Sequence, residues 1–178
     1  MIDDLRAATR QLHQRLEERF DAIALLSDAS SRARTIRRYA SFHLPADIVL
    51  GRSLGHIQAL EMARRTRGDL LAPHAEGWIW IDFPEPSCVA EGLGMLYVVE
   101  GATLGGNVIL KRLRQNAEER PEFAFLHPYG SQSGLMWNRF LSAADAEIGR
   151  DSHALEMACR GAVTAFRHAE YVLCGDAN

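Results

Sequence analysis

The chain has 178 residues, 47% hydrophobic and 24% charged, with a formal net charge of −3. That is the make-up of one soluble globular domain spanning 1–178, and the slightly acidic total argues against nucleic acid or an anionic membrane as partner. Lys111 is the only lysine; the other 19 basic residues are arginines, whose planar forks suit carboxylates. Cys88, Cys159 and Cys174 are widely spaced and odd in number, and no signal peptide or run of 18 apolar residues is visible. Reduced thiols and a cytoplasmic location are expected.

From Ile2 to Phe20, Leu5, Leu12, Leu16 and Phe20 recur at helical spacing, with Asp3 and Asp4 in the first turn, where the helix dipole favours them. Ser27 to Ser31 reads as a polar break. A second helix is expected from about Arg32 to Glu61, kinked at Pro45, and a shorter one from Asp69 to Trp78. Ile81 to Pro86 reads as a loop, after which Ser87 can cap a long helix reaching about Arg114. Pro121 to Gly130 is a further loop. Ser133 can cap a helix through about Ile148, and Asp151 or Ser152 the last one, with Gly175 at its C′ position. No useful strand alternation occurs, so the fold class is all-α, a helical bundle with short connections.

The usual catalytic motifs are missing. No Asp or Glu is followed by His three or four positions later, which a di-iron carboxylate bundle requires. HExxH, Walker A, GxSxG and zinc-type Cys/His spacings are absent. GATLGG at 101–106 is not GxGxxG and lies in a helical segment, so it is a poor dinucleotide loop.

Two features remain. His13 sits beside Leu12 and Leu16, with Arg6 seven residues before it, only ~20° around the helix, and Glu17 one turn after. The grouping is either a solvated ridge or an imidazole at a core boundary between a guanidinium and a carboxylate. The second feature is Gly101, Gly105 and Gly106, three glycines within six helical residues, each costing roughly 1 kcal/mol relative to alanine. Bare backbone there permits either a close helix crossing or the approach of a flat, bulky ligand.

Taken together, LRAATRQLHQRLE at 5–17, YVVEGATLGGNVI at 97–109 and AVTAFRHAEYVL at 162–173 resemble the heme oxygenase family, most closely its bacterial branch that supplies biliverdin to phytochrome-type photoreceptors. The resemblance covers essentially the whole chain. It implies a single-domain bundle with heme b held between the N-terminal, proximal helix and a kinked glycine-rich distal helix. It further implies oxidative cleavage of heme to biliverdin, releasing CO and ferrous iron, with heme as both substrate and cofactor. Dioxygen and electrons from an external reductase or ferredoxin are the co-reactants, and a bacteriophytochrome is the implied recipient of the bilin.

Carried over residue by residue, His13 matches the iron ligand, Arg6 a propionate contact and Glu17 an acidic neighbour of the ligand. Gly101 and Gly105 match distal backbone over the iron, Gly106 completes the bend, and Phe166 lines the pocket. Arg139 is a candidate for the second propionate, against the favoured alternative of a surface arginine. One departure stands out: where animal-type members carry an aspartate that organises distal water, this chain has Ala102. A noncatalytic heme or bilin carrier is therefore the alternative. A thiaminase-like reading finds no base beside Cys88.

Overall fold

Asp28 closes one helix and opens the next, its carboxylate accepting the Ser31 amide at 2.9 Å. The computed structural model describes residues 1–114 and 120–175. In chain order the α-helices are α1 (Ile2–Arg19), α2 (Ala22–Ser27), α3 (Ala29–Leu54), α4 (Gly68–Leu71), α5 (Val89–Arg114), α6 (Ser133–Ile148) and α7 (Ser152–Leu173), with short 3₁₀ turns between. Among the described residues there is no strand, as the sequence leads one to expect.

The boundaries differ from expectation in instructive places. The polar break is sharper than its composition suggests, because Asp21 caps α2 through the Ala24 amide, and Asp28 then restarts the chain as α3. Helix α3 stops at Leu54 rather than Glu61, and two 3₁₀ turns follow, joined at Glu61 with a positive φ of 50°. Pro45 is accommodated inside α3. At the start of α5, Ser87 does not cap by accepting an amide; its own N–H and hydroxyl both donate to Glu91 at 2.7 and 2.5 Å. Ser133 is already helical, and its hydroxyl donates to the Gly130 carbonyl. Asp151 does cap α7, accepting from the amides of His153 and Ala154, and Gly175 after its end has a φ of 82°.

The centre of the molecule is the crossing of α5 on α7. Gly94 and Gly161 make it possible: a Cβ on Gly94 would lie 1.8 Å from the Ala158 carbonyl oxygen. One face of α7 is built almost wholly of small residues, with Ala158, Gly161, Ala162, Ala165 and Ala169 all buried. An 18-residue stretch of α5 reaches a mean hydropathy of 1.4, and α3, α6 and α7 pack on this helix. Its apolar length alone would satisfy a membrane span; here 56% of its most apolar stretch is buried inside the protein.

Helix α1 lies at the edge. Only Leu5 and Thr9 are buried along it, and it leans on α7, where Arg15 and Arg19 both bond the carboxylate of Glu170. Those two guanidiniums, through their hydrogen bonds, bring the Glu170 pKa down to about 2.

Candidate functional site

Between α1 and α5 opens a cavity of about 410 Å³, within the range of roughly 300–1,000 Å³ common for small-molecule sites. Its walls come from most of the fold. Arg6, His13, Leu16 and Glu17 come from α1 and Phe166 from α7; Gly101, Ala102, Gly105 and Gly106 come from α5. All of the residues singled out on α1, α5 and α7 thus border one space.

On α1, the Glu17 carboxylate stands 3.4 Å from Nδ1 of His13, leaving Nε2 as the nitrogen able to serve a ligand. The imidazole meets the edge of Phe166, with ring centroids 5.7 Å apart and planes at 67°. Its side chain is 59% exposed, so the cavity mouth lies on this side. Arg6, 60% exposed, holds only a long contact of 3.4 Å to Asp3 and stands at the same rim.

The three glycines of α5 divide into two kinds. A Cβ on Gly106 would fall 2.4 Å from the carbonyl oxygen of Leu126, so this residue serves a close backbone approach. A Cβ on Gly101 or Gly105 would meet nothing within 4 Å. These two therefore leave the helix backbone bare toward empty space. The helix itself continues unbroken through all three.

Arg139 stands apart. It does not line the cavity; its guanidinium pairs with the carboxylate of Glu61, which also receives Arg64 at 2.7 Å. The Glu61 kink between the two 3₁₀ turns explains this neighbour, which lies 78 residues away in sequence.

The inner end of the cavity holds groups that sequence reasoning passed over. Tyr39 and His43, one turn apart on α3, stack with centroids 6.1 Å apart, and Phe42 meets the His43 ring edge-on. Burial, reinforced by the charge of Arg67, holds the His43 pKa well below its usual value, so this imidazole is neutral. Burial alone pushes the Tyr39 phenol upward. Arg67, 1% exposed, also lines the space. Its Nη2 donates to the Val99 carbonyl at 3.0 Å and to the Thr103 hydroxyl at 2.5 Å.

Behind Arg67 runs a buried polar network. Arg65 donates to Glu100 at 2.5 Å and to the carbonyls of Leu60 and Met136, and the Tyr129 hydroxyl donates to the other Glu100 oxygen at 2.6 Å. Asp47 accepts the Arg67 amide at 2.6 Å, and burial raises its pKa to about 6. Among the described residues, no three His, Cys, Asp or Glu side chains gather as a multidentate metal site would need.

His13 on α1 and the bare backbone of α5 thus border one mostly apolar cavity. No protein-family model matches the sequence, and no curated protein matches it. Among solved structures the chain is similar to the NO- and CO-bound heme oxygenase from Neisseria meningitidis. The TM-score is 0.78 at 21% identity, over 95% of this chain and 87% of that one. The fold is the all-helical heme oxygenase fold.

Proposed function

We propose that this chain is a heme oxygenase, opening heme b to biliverdin with release of CO and ferrous iron. The observation that carries the reading is the pairing of two walls: His13 on one helix, and on another Gly101 and Gly105 with no neighbour filling the space a side chain would take. Close packing would use those glycines; open space beside them is what a planar ligand needs.

The residues present suit that ligand. Aromatic and aliphatic side chains, among them Phe166, Trp137, Tyr97 and Leu126, make up most of the walls. Arg6 stands at the rim, where the carboxylates of a buried tetrapyrrole would emerge, and bidentate pairing there would fix the ring's rotation. His13 supplies an imidazole nitrogen donor oriented by Glu17. Bound heme supplies the redox chemistry, and dioxygen and electrons from a ferredoxin or flavoprotein reductase complete it. The bare backbone of α5 contributes fixed, weak dipoles and room for water, without the acidic side chains that would promote heterolytic O–O cleavage. A bacteriophytochrome is the proposed acceptor of the product.

The test adds hemin to the purified protein, records the Soret band, then supplies a reductant under air. Loss of heme absorbance with appearance of biliverdin and free iron is expected. A stable heme spectrum under those conditions would overturn the enzymatic reading in favour of a carrier, the alternative that Ala102 raises.

A further inference from the structure

A second, smaller cavity of about 170 Å³ lies between α3 and the irregular segment 78–86 that leads into α5. None of its lining residues borders the larger cavity. Arg34, Arg37 and Arg38, spaced i, i+3, i+4 and so on one face of α3, form one side; Trp78, Ile79 and Val172 supply the apolar side. The three arginines are provided for unequally. Arg38 donates from Nη1 to the Leu173 carbonyl at 3.1 Å, satisfying an end group of α7. Arg34 and Arg37 have no hydrogen bond or ion pair among the described residues, whereas Arg52, Arg64, Arg65 and Arg139 each meet a carboxylate. On the facing segment, the Asp82 carboxylate is taken by the Trp80 indole N–H at 2.7 Å. Beyond the cavity the apolar surface continues outward: Ile79 is 54% and Trp80 53% exposed, the Trp80 ring lying 6.1 Å from that of Trp78. From Trp80 to Pro86 no main-chain group forms a hydrogen bond among the described residues.

We infer that this face docks an acidic segment of a partner protein, one apolar side chain of which fills the cavity while flanking carboxylates pair with Arg34 and Arg37. Size selects a chain segment over a free small molecule. The cavity is smaller than the roughly 300–1,000 Å³ of small-molecule sites and has room for a single side chain. Exposed tryptophan beside arginine is the composition that carries binding energy at protein interfaces. The main chain at 80–86 leaves its own donors and acceptors for a segment laid along it. Charge selects acidity. Two unmatched guanidiniums repel a basic segment, and their planar forks pair bidentately with carboxylates. A second copy presenting the same face would set arginine against arginine.

The full chain is titrated into three fluorescein-labelled hexapeptides, DDLDDE, DDGDDE and KKLKKK, at low salt and followed by fluorescence anisotropy. The leucyl acidic peptide is expected to bind at least about fivefold more tightly than the glycyl one, because its side chain leaves water for the cavity. The lysyl peptide should not bind. Replacing both arginines, Arg34→Glu with Arg37→Glu, should weaken the leucyl acidic peptide roughly tenfold or more and leave hemin uptake unchanged, since neither residue lines the larger cavity. Equal affinity for the acidic and lysyl peptides overturns the inference, as does affinity in the double variant within about twofold of wild type. Should the double variant not fold, the peptide comparison on the wild type decides alone. Where no acidic peptide is preferred, two further measurements assign the face elsewhere. A dimer in sedimentation velocity that Trp80→Asp abolishes would give it to a second copy. Co-sedimentation with phosphatidylserine vesicles that the same change abolishes would give it to a lipid surface. Neither peptide arm needs heme, so their outcome is independent of heme oxygenase activity.

Discussion

Gly161 of α7 lies so close to Glu91 of α5 that a Cβ on it would stand 2.0 Å from the Glu91 carbonyl oxygen. This contact and that of Gly94 with Ala158 fix the distance between the two central helices, whereas Gly105 on the same α5 touches nothing. Glycines of one helix thus have opposite requirements. Gly161→Ala is expected to destabilise the protein by about 1–3 kcal/mol or more, through a backbone shift at the crossing. Gly105→Ala should be neutral or stabilising by up to about 1 kcal/mol, since it removes a helix-interior glycine without a clash. Urea unfolding of the heme-free proteins measures both, and equal destabilisation would refute the distinction.

Gly105→Leu should keep the fold and lose the ligand. Its side chain would extend into the cavity. A hemin titration should show at least tenfold weaker binding alongside an unchanged far-ultraviolet circular dichroism spectrum. Normal heme uptake would show that the space beside Gly105 is not used.

On the proposed function, His13→Ala should remove the nitrogen that would hold the iron and change the ferric heme spectrum, with turnover abolished. Restoration of the wild-type spectrum by added imidazole would identify the loss as one of ligation rather than of folding. Arg6→Glu should weaken heme binding or alter the biliverdin isomer, whereas Arg139→Ala should do neither, its guanidinium being engaged with Glu61.

Glu100→Ala tests the buried network. The substitution strands the Arg65 charge and the Tyr129 hydroxyl, both dependent on that carboxylate. Loss of about 3–5 kcal/mol is expected, because breaking a buried pair leaves an uncompensated ion. A loss below about 1 kcal/mol in urea unfolding would mean that water reaches the site.

Acid should act first at the α1–α7 contact. The Glu170 pKa is about 2 in the folded chain, against 4.5 ordinarily. Its contribution to stability is therefore complete above about pH 4.5 and is lost as pH falls toward 2. Asp28, held at about 2 by the hydroxyls and amide of Ser30 and Ser31, acts in the same direction. Asp47 acts oppositely: its folded pKa of about 6 lies above 3.8, so its ionisation costs stability as pH rises through that interval. Glu170→Gln should flatten the fall in stability below pH 4.5, as followed by thermal melts from pH 2 to 6. An unchanged acid limb would exclude Glu170 as its source.

Much of the site is legible in the sequence, for reasons that can be named. His13, Arg6 and Glu17 share one helix, so 3.6-residue geometry alone relates them. The glycines of α5 advertise themselves by their cost. Tyr39 and His43 on α3 and Arg67 before α4 carry no such mark, because only tertiary packing brings them to the same cavity as α1 and α5. In sequence His43 resembles any lone histidine, and Arg67 is one arginine among 19. The small-residue spacing of α7, Ala158, Gly161, Ala162, Ala165 and Ala169, is a readable sign of the close crossing that the apolar pattern alone does not convey. The end of α3 does carry a local sign, Gly55 directly after Leu54, which an expectation of helix to Glu61 overlooks.

Helix α1 buries only Leu5 and Thr9 and is clasped to α7 through Glu170. On the proposed function, lifting this helix would let heme enter and leave edgewise without disturbing the α5–α7 crossing. Mobile ions compete for the Arg15 and Arg19 clasp, so heme release should quicken with ionic strength. Amides of α1 should exchange with deuterium sooner than those of α5 or α7, and sooner still once Glu170 is replaced.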